Sequence, residues 1–185
     1  MHILPLAAIA EIYTGTNPDR SGVRGAAFIQ IKDLPSECRE LIRAAQPTVK
    51  RATPATFGDV LLAARGERAF AVAAEQGLIG AYPTLDVYLL RPLPQRLDPG
   101  YLVAYLSQAQ VSAALKASTS GALVPRIPKP ALEGLLIPLP PLPQQRRIGA
   151  IATAMRIEQS LSQRLQQAHV TLRERQLAAA FTTLS

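Results

Sequence analysis

The sequence predicts an α/β (α+β) fold: a mixed, largely antiparallel sheet with helices, followed by one long C-terminal coiled-coil helix. Three observations predict it. Short apolar runs separated by turn residues recur through the first half of the chain, the pattern of strands joined by short connections. A proline ladder, Pro138, Pro140, Pro141 and Pro143, closes that region. Beyond Pro143 the only proline or glycine is Gly149, and apolar residues recur at helical spacing. The expected division is a body over 1–141 and a helix over 142–185.

Composition narrows the class. At 185 residues, one globular unit plus an appendage is the natural expectation. Apolar residues make up 48% but aromatic ones only 5%, with no Trp, so Leu, Ile, Val and Ala must fill the core. The net charge of +7 favours a polyanionic partner. Charge is spread rather than run together, which excludes a basic tail. The single Cys, Cys38, excludes a disulfide framework or a Cys-based zinc site within one chain. The opening MHILPLAAIAEIYTG has no cationic start and is broken by Glu11, so a signal peptide is not expected. No stretch reaches the ~18 apolar residues of a membrane span. The expected compartment is cytoplasmic.

In chain order, residues 3–13 read as a strand or short helix closed at Thr14-Gly15. Residues 14–25 form a polar loop carrying Arg20 and Arg24. Ala27–Lys32 (AFIQIK) reads as a strand. SECRELIRAA suggests a helix capped by Ser36, followed by a basic connector over 46–56 with Lys50 and Arg51. Gly58–Ala64 and Ala69–Ala74 read as a hairpin turning at Arg65-Gly66-Glu67-Arg68, and Gly77–Thr84 as a loop. Asp86–Leu90 is the next strand. Asp98 caps a helix with Pro99 at its first position. Tyr101, Leu102, Tyr105 and Leu106 share one face of it, continued by Val111 and Leu115. Ser118–Ala122 is a polar loop, Val124–Ile127 a short extended piece, Lys129–Gly134 a helical turn and Leu135–Pro138 a last strand.

From Gln144 the apolar positions are Ile148, Ile151, Ala152, Met155, Leu161, Leu165, Ala168 and Leu172. That spacing is a coiled-coil seam weakened by Ser and Gln. The helix would span about 60 Å at ~1.5 Å per residue. A body this small cannot cover it along its length, so a partner helix is expected, with Ile148, Ile151, Met155, Leu161, Leu165 and Leu172 on the contact face. This segment carries six Arg and two Glu, a larger share of the net charge than its length warrants. Arg146 and Arg147 stand at the helix start, where a cation opposes the dipole.

No catalytic pattern emerges. There is no GxGxxG, no Walker loop and no Asn/Asp-Pro-Pro-Tyr motif, since Asn17-Pro18 is followed by Asp19-Arg20. His2 and His169 sit at opposite ends, which argues against a triad or a His-based metal site. Groove readout of DNA needs Arg, Lys, Asn, Gln or Ser on loops. The candidates are Arg20, Arg24, Lys50, Arg51, Arg65, Arg68, Lys116, Ser118, Ser120 and Arg126. Tyr13 and Tyr82 could reach bases, but core-edge packing is the favoured reading of each; Tyr101 and Tyr105 read as helix packing. Gly15, Gly66 and Gly121 read as turn glycines.

The second half carries a family resemblance. YPTLDVYLLRP, the loop SGALVPRIPKPAL and the ladder IPLPPLPQQRRI resemble the specificity (S) subunit of type I restriction–modification systems. GDVLLAARG and LAAIAEIYTG resemble earlier segments of the same family. The family usually has Glu-Gln after the last proline of the ladder, where this chain has Gln144-Gln145. The resemblance implies a target-recognition domain reading a few base pairs of double-stranded DNA. It implies a helix that packs as an antiparallel coiled coil and holds the DNA methyltransferase (M) subunit. One recognition region and one helix, without an internal repeat, resemble a half subunit. A homodimer through the C-terminal helix would then read a bipartite palindrome with half-sites on the order of one helical turn apart. On this resemblance the chain performs no catalysis and needs no cofactor. S-adenosylmethionine belongs to the M subunit, and a restriction (R) subunit is a further partner. An adaptor or decoy that occupies the M subunit without reading DNA is the alternative.

Overall fold

The computed structural model describes residues 2–19, 25–35, 41–48, 52–66, 70–118 and 126–182. Strand β1 (His2–Pro5) leads through a 3-10 turn at Leu6–Ala8 into β2 (Ala10–Thr14). The first segment is thus two strands, not one. They run to different sheets, and Leu6 and Ile9 between them are fully buried. β3 (Ala26–Ile29) and a 3-10 turn at Ile31–Asp33 follow, so the AFIQIK strand is shorter at its C-terminal end than its sequence suggests.

Residues 42–44 correct the helix expected from SECRELIRAA. Ile42–Ala44 is β4, paired antiparallel with β3 through Ala26↔Ala44 and Phe28↔Ile42. Sheet pairing overrides the helical propensity of Leu, Arg and Ala. The proposed cap, Ser36, lies outside the described residues. β5 (Val60–Ala63) and β6 (Ala71–Ala73) form the expected antiparallel hairpin. Gly66 in its turn takes φ +121°, a conformation glycine adopts without a Cβ penalty. The expected loop over 77–84 contains a short strand, β7 (Tyr82–Pro83), which pairs in parallel with β3. β8 (Val87–Pro92) completes a four-stranded sheet in the order β2-β8-β5-β6.

This sheet is the centre of the body. Val87 to Leu90 are all buried, the continuous apolar run of a strand covered on both faces. Side chains alternate between the faces. Val60, Leu62, Tyr88 and Leu90 point into one core with Leu6, Ile9, Leu102, Leu106, Leu132 and Ile137. Leu61, Ala63, Val87 and Leu89 point into a second with Ile29, Leu34, Val72 and Leu78.

The first core is covered by α1 (Pro99–Leu106), α2 (Ala109–Ala117) and α3 (Lys129–Glu133). Asp98 caps α1 as expected: its carboxylate accepts from the Tyr101 N–H at 3.0 Å. The expected continuous helix breaks at Ser107, whose hydroxyl turns back onto the Val103 carbonyl. Val111 and Leu115 nevertheless reach the same core.

β9 (Leu136–Leu139) pairs antiparallel with β1, and α4 (Leu142–Thr182) begins three residues later. The proline ladder is therefore not a free connector. Pro138 lies inside β9, and Pro143 lies in the first turn of α4, where its missing N–H costs nothing. Two carbonyls of β9 are held from the side. Tyr101 donates its hydroxyl to the Pro138 carbonyl at 2.6 Å and Tyr105 to that of Leu136 at 2.9 Å. Among the described residues, no helix is long and apolar enough to cross a membrane.

Candidate nucleic-acid interface

Ten basic and hydroxyl side chains are expected to form the interface. Six of them, Arg20, Arg24, Lys50, Arg51, Arg68 and Ser120, lie outside the described residues. The structure places the other four. Arg65 leaves β5 and forms an antiparallel bridge with Arg126, which follows the STSGA loop in sequence. The Ile127 N–H donates to the Ala64 carbonyl at 2.9 Å, and the Ala64 N–H to that of Asp86 at 2.8 Å. Two arginines far apart in sequence thus become cross-strand neighbours.

Their electrostatics differ. Arg65 Nε lies 3.0 Å from Asp86 Oδ1, and both side chains are about two-fifths exposed, so this pair is well screened. The Arg126 guanidinium stands 5.0 Å above the Tyr88 ring. Its Nε and Nη2 are buried without a hydrogen-bond acceptor among the described residues. The Tyr88 hydroxyl donates to the Ile127 carbonyl at 2.8 Å, and burial raises the pKa of its phenol. Lys116 is in the last turn of α2, where a cation suits the helix dipole. Ser118 ends that helix, its hydroxyl donating to the Leu115 carbonyl at 2.5 Å. Lys116 and Ser118 on one side and Arg126 on the other flank the same stretch of sequence.

Both aromatics read as core-edge residues take up polar work. The Tyr82 ring packs on Phe28, and its hydroxyl accepts from Gln46 Nε2 at 2.7 Å. Tyr13 donates its hydroxyl to Glu11, and this bond, reinforced by burial, raises its pKa. Arg91 stacks 5.5 Å over the Tyr13 ring and binds Asp59 with two bonds of 2.8 Å. Asp59 is 1% exposed and also accepts from the Thr56 N–H and hydroxyl. Its bond to Arg91 raises the arginine's pKa.

A cleft of about 500 Å³ lies beside this network, between the sheet and the start of α4. Phe57 at its rim is 88% exposed, and Arg146 of α4 lines its far side. Of the charged groups that line the cleft, Arg91 and Asp59 are bonded to each other. Among the described residues no group of three His, Cys, Asp or Glu could hold a metal ion.

Sequence reasoning missed the groups that fix the helix to the body. Gln145 is 1% exposed. Its Oε1 accepts from the Asp98 N–H at 2.9 Å, and its Nε2 donates to the carbonyls of Arg96 at 3.0 Å and Pro140 at 2.9 Å. One turn on, Gly149 crosses Gly100 of α1, with a glycine on each side of the crossing. The signal for the second was visible: Gly149 is the one glycine in 41 helical residues, and an isolated helical glycine usually has a packing reason. No local signal distinguishes Gln145 from Gln144. The six seam residues, Ile148, Ile151, Met155, Leu161, Leu165 and Leu172, are 37–63% exposed, so the body does not cover them.

No family model and no curated protein matches the chain. Solved structures do. An HsdS subunit from Thermoanaerobacter tengcongensis superposes with a TM-score of 0.62 at 23% identity, covering 89% of this chain and 39% of that one. A chain from a study of complex assembly and conformational transition of the type I R-M system gives 0.63 at 23%, covering 90% and 41%. The type I restriction-modification S subunit from M. genitalium gives 0.50 at 13%, covering 84% and 38%. The class defined by this body and helix is therefore an α+β domain carried on a long helix. In particular, the chain has the fold of type I restriction–modification specificity subunits. It spans about two-fifths of the length of the subunits it matches.

Proposed function

We propose that this chain is a DNA-reading specificity component of a type I restriction–modification assembly. The observation that carries the reading is the shared fold along nine-tenths of the chain, body and helix together. The body reads one half of a bipartite, palindromic target in double-stranded DNA. Arg65, Arg126, Lys116 and Ser118, with Arg20, Arg24, Lys50, Arg51, Arg68 and Ser120, supply the contacts. Two copies pair through α4, and the same helix region holds the M subunit. Methyl transfer from S-adenosylmethionine takes place on that subunit. The chain itself acts as a binding protein in the cytoplasm, and an R subunit joins the assembly for cleavage.

The test is a gel-shift panel with the chain plus an M subunit on duplexes carrying varied bipartite sites. Preference for one half-site sequence, falling steeply with salt, is the expected result. Equal binding to every sequence would overturn the reading. Binding to the M subunit with no salt-dependent affinity for duplex would select an adaptor instead.

A further inference from the structure

The bridge between Arg65 and Arg126 sets two cations side by side. Residues opposed across an antiparallel bridge project to the same face, and like charges in that position repel. One carboxylate answers them: Asp86 Oδ1 lies 3.0 Å from Arg65 Nε. Glu133 of α3 is taken up by Lys129 at 3.5 Å. Among the described residues, Arg126 has no carboxylate within ion-pair distance. Its guanidinium is held instead by the Tyr88 ring, 5.0 Å away.

Arg126 is costly where it stands. Its Nε and Nη2 are enclosed with no acceptor among the described residues. Unpaired buried donors are a loss that an apolar side chain of similar shape would not carry. Packing on Tyr88 therefore does not explain an arginine at this position. Nη1 differs from the other two nitrogens: it is neither bonded nor enclosed, so it reaches solvent. The terminal nitrogens of the neighbouring Arg65 do the same, on a side chain two-fifths exposed. Tyr88 is a firm support. It is 2% exposed, lies in β8, and donates its hydroxyl to the Ile127 carbonyl at 2.8 Å. One phenol thus fixes the backbone beside Arg126 with its hydroxyl and the guanidinium with its ring.

We infer that Tyr88 is a positioning residue for DNA binding: its ring holds the Arg126 guanidinium beside Arg65, so that the two side chains present a fixed pair of cations to the phosphate backbone. The inference rests on the DNA-reading function proposed above and adds how one contact is built. A phosphate oxygen is the acceptor that this pair calls for, because it is anionic and relieves the repulsion while bonding the open nitrogens. A guanidinium already held in place also loses less freedom on binding than one that moves freely.

The test is the slope of log affinity against log salt, measured by gel shift with the full chain and the M subunit on one duplex. Arg126→Met removes the charge and the two unpaired donors. It should melt no lower than wild type, yet reduce the slope by about 0.9, the loss of one phosphate contact. Tyr88→Leu removes the ring and should reduce the slope by the same amount. Tyr88→Phe restores the ring without the hydroxyl and should bring the slope back, although the chain unfolds more easily. In the Arg126→Met background, Tyr88→Leu should change the slope no further. Equal effects of Tyr88→Leu in both backgrounds would show a merely structural tyrosine and overturn the inference. Should Tyr88→Leu not fold, Arg126→Lys reads the same point, because an ammonium keeps the charge but cannot lie flat on a ring. Its affinity should fall about two- to fivefold; wild-type affinity would overturn the role of the ring. An unchanged slope in Arg126→Met would overturn the inference while leaving DNA binding by the chain intact. Absence of salt-dependent duplex binding by the wild type would instead remove the DNA reading itself.

Discussion

Gly149 of α4 crosses Gly100 of α1 at backbone contact: a Cβ on Gly149 would lie 2.7 Å from the Gly100 carbonyl carbon and 2.7 Å from the Tyr101 nitrogen. The obstructing atoms are backbone and cannot swing aside. The crossing sets how the long helix leaves the body, and so where the body sits relative to whatever the helix holds.

Gly149→Ala tests the crossing through a conflict of signs. In an isolated helix alanine gains about 1 kcal/mol over glycine. Here overpacking should cost about 1–3 kcal/mol and outweigh it. The expected result is a lower melting temperature; a higher one would mean that the crossing opens without penalty.

Gln145 tests the polar half of the same joint. Gln145→Ala leaves the Asp98 N–H and two carbonyls without their partner, a loss of about 2 kcal/mol. Gln145→Glu keeps the acceptor but turns a carboxylate toward the carbonyls of Arg96 and Pro140. Denaturant unfolding at neutral pH should rank wild type above Ala and Ala above Glu. A Glu variant as stable as wild type would show that the side chain can leave the joint.

The Arg91–Asp59 pair should behave as a buried charge with an exposed partner. Arg91→Met strands a carboxylate that is 1% exposed and should cost about 3 kcal/mol. Asp59→Leu combined with Arg91→Met removes both charges and should recover part of that loss. Additive losses in the double-mutant cycle would show that the two side chains act independently.

Alkaline pH should destabilise the body through Tyr88. Burial holds its phenol neutral in the folded state, above the ordinary value of 10.0. The unfolded chain gives up that proton first, so the stabilisation is complete below about pH 10 and is lost as pH rises through the folded value. Tyr88→Phe should lower stability at neutral pH by about 1 kcal/mol, by leaving the Ile127 carbonyl unpaired. It should also flatten the decline above pH 10, read by thermal unfolding from pH 7 to 11. An unchanged slope would exclude Tyr88 as its source.

Arg65→Ala and Lys116→Ala address the DNA contacts. If each side chain neutralises one phosphate, each substitution should reduce the slope of log affinity against log salt by about 0.9 and weaken binding on all sequences alike. A loss confined to one half-site sequence would assign that residue to a base edge instead.

Much of this protein was legible in its sequence because the signals are local. Asp98-Pro99 marks a helix start by a cap and a preset φ, and the prolines before Gln144 mark a boundary by what they forbid. The apolar spacing after Ile148 marks an uncovered stripe without any knowledge of the body. Where local and distant interactions compete, the distant ones decided. Leu41 to Ala45 have helical propensity, yet the edge of β3 makes 42–44 a strand. A parallel pairing between β3 and β7 joins residues too far apart in sequence for any window to register it. The joint is the plainest case. Gln144 and Gln145 are the same side chain at adjacent positions, and only the fold turns one to solvent and the other onto Asp98, Arg96 and Pro140. The sequence by itself determined that a stiff proline ladder precedes a long helix with an apolar seam. Only the tertiary structure decided that the strand leading into the ladder is clasped by Tyr101 and Tyr105, and that Gln145 ties the start of the helix to the body. Hydrogen bonds between residues nearly fifty positions apart form only once the chain has brought their carbonyls and amides together.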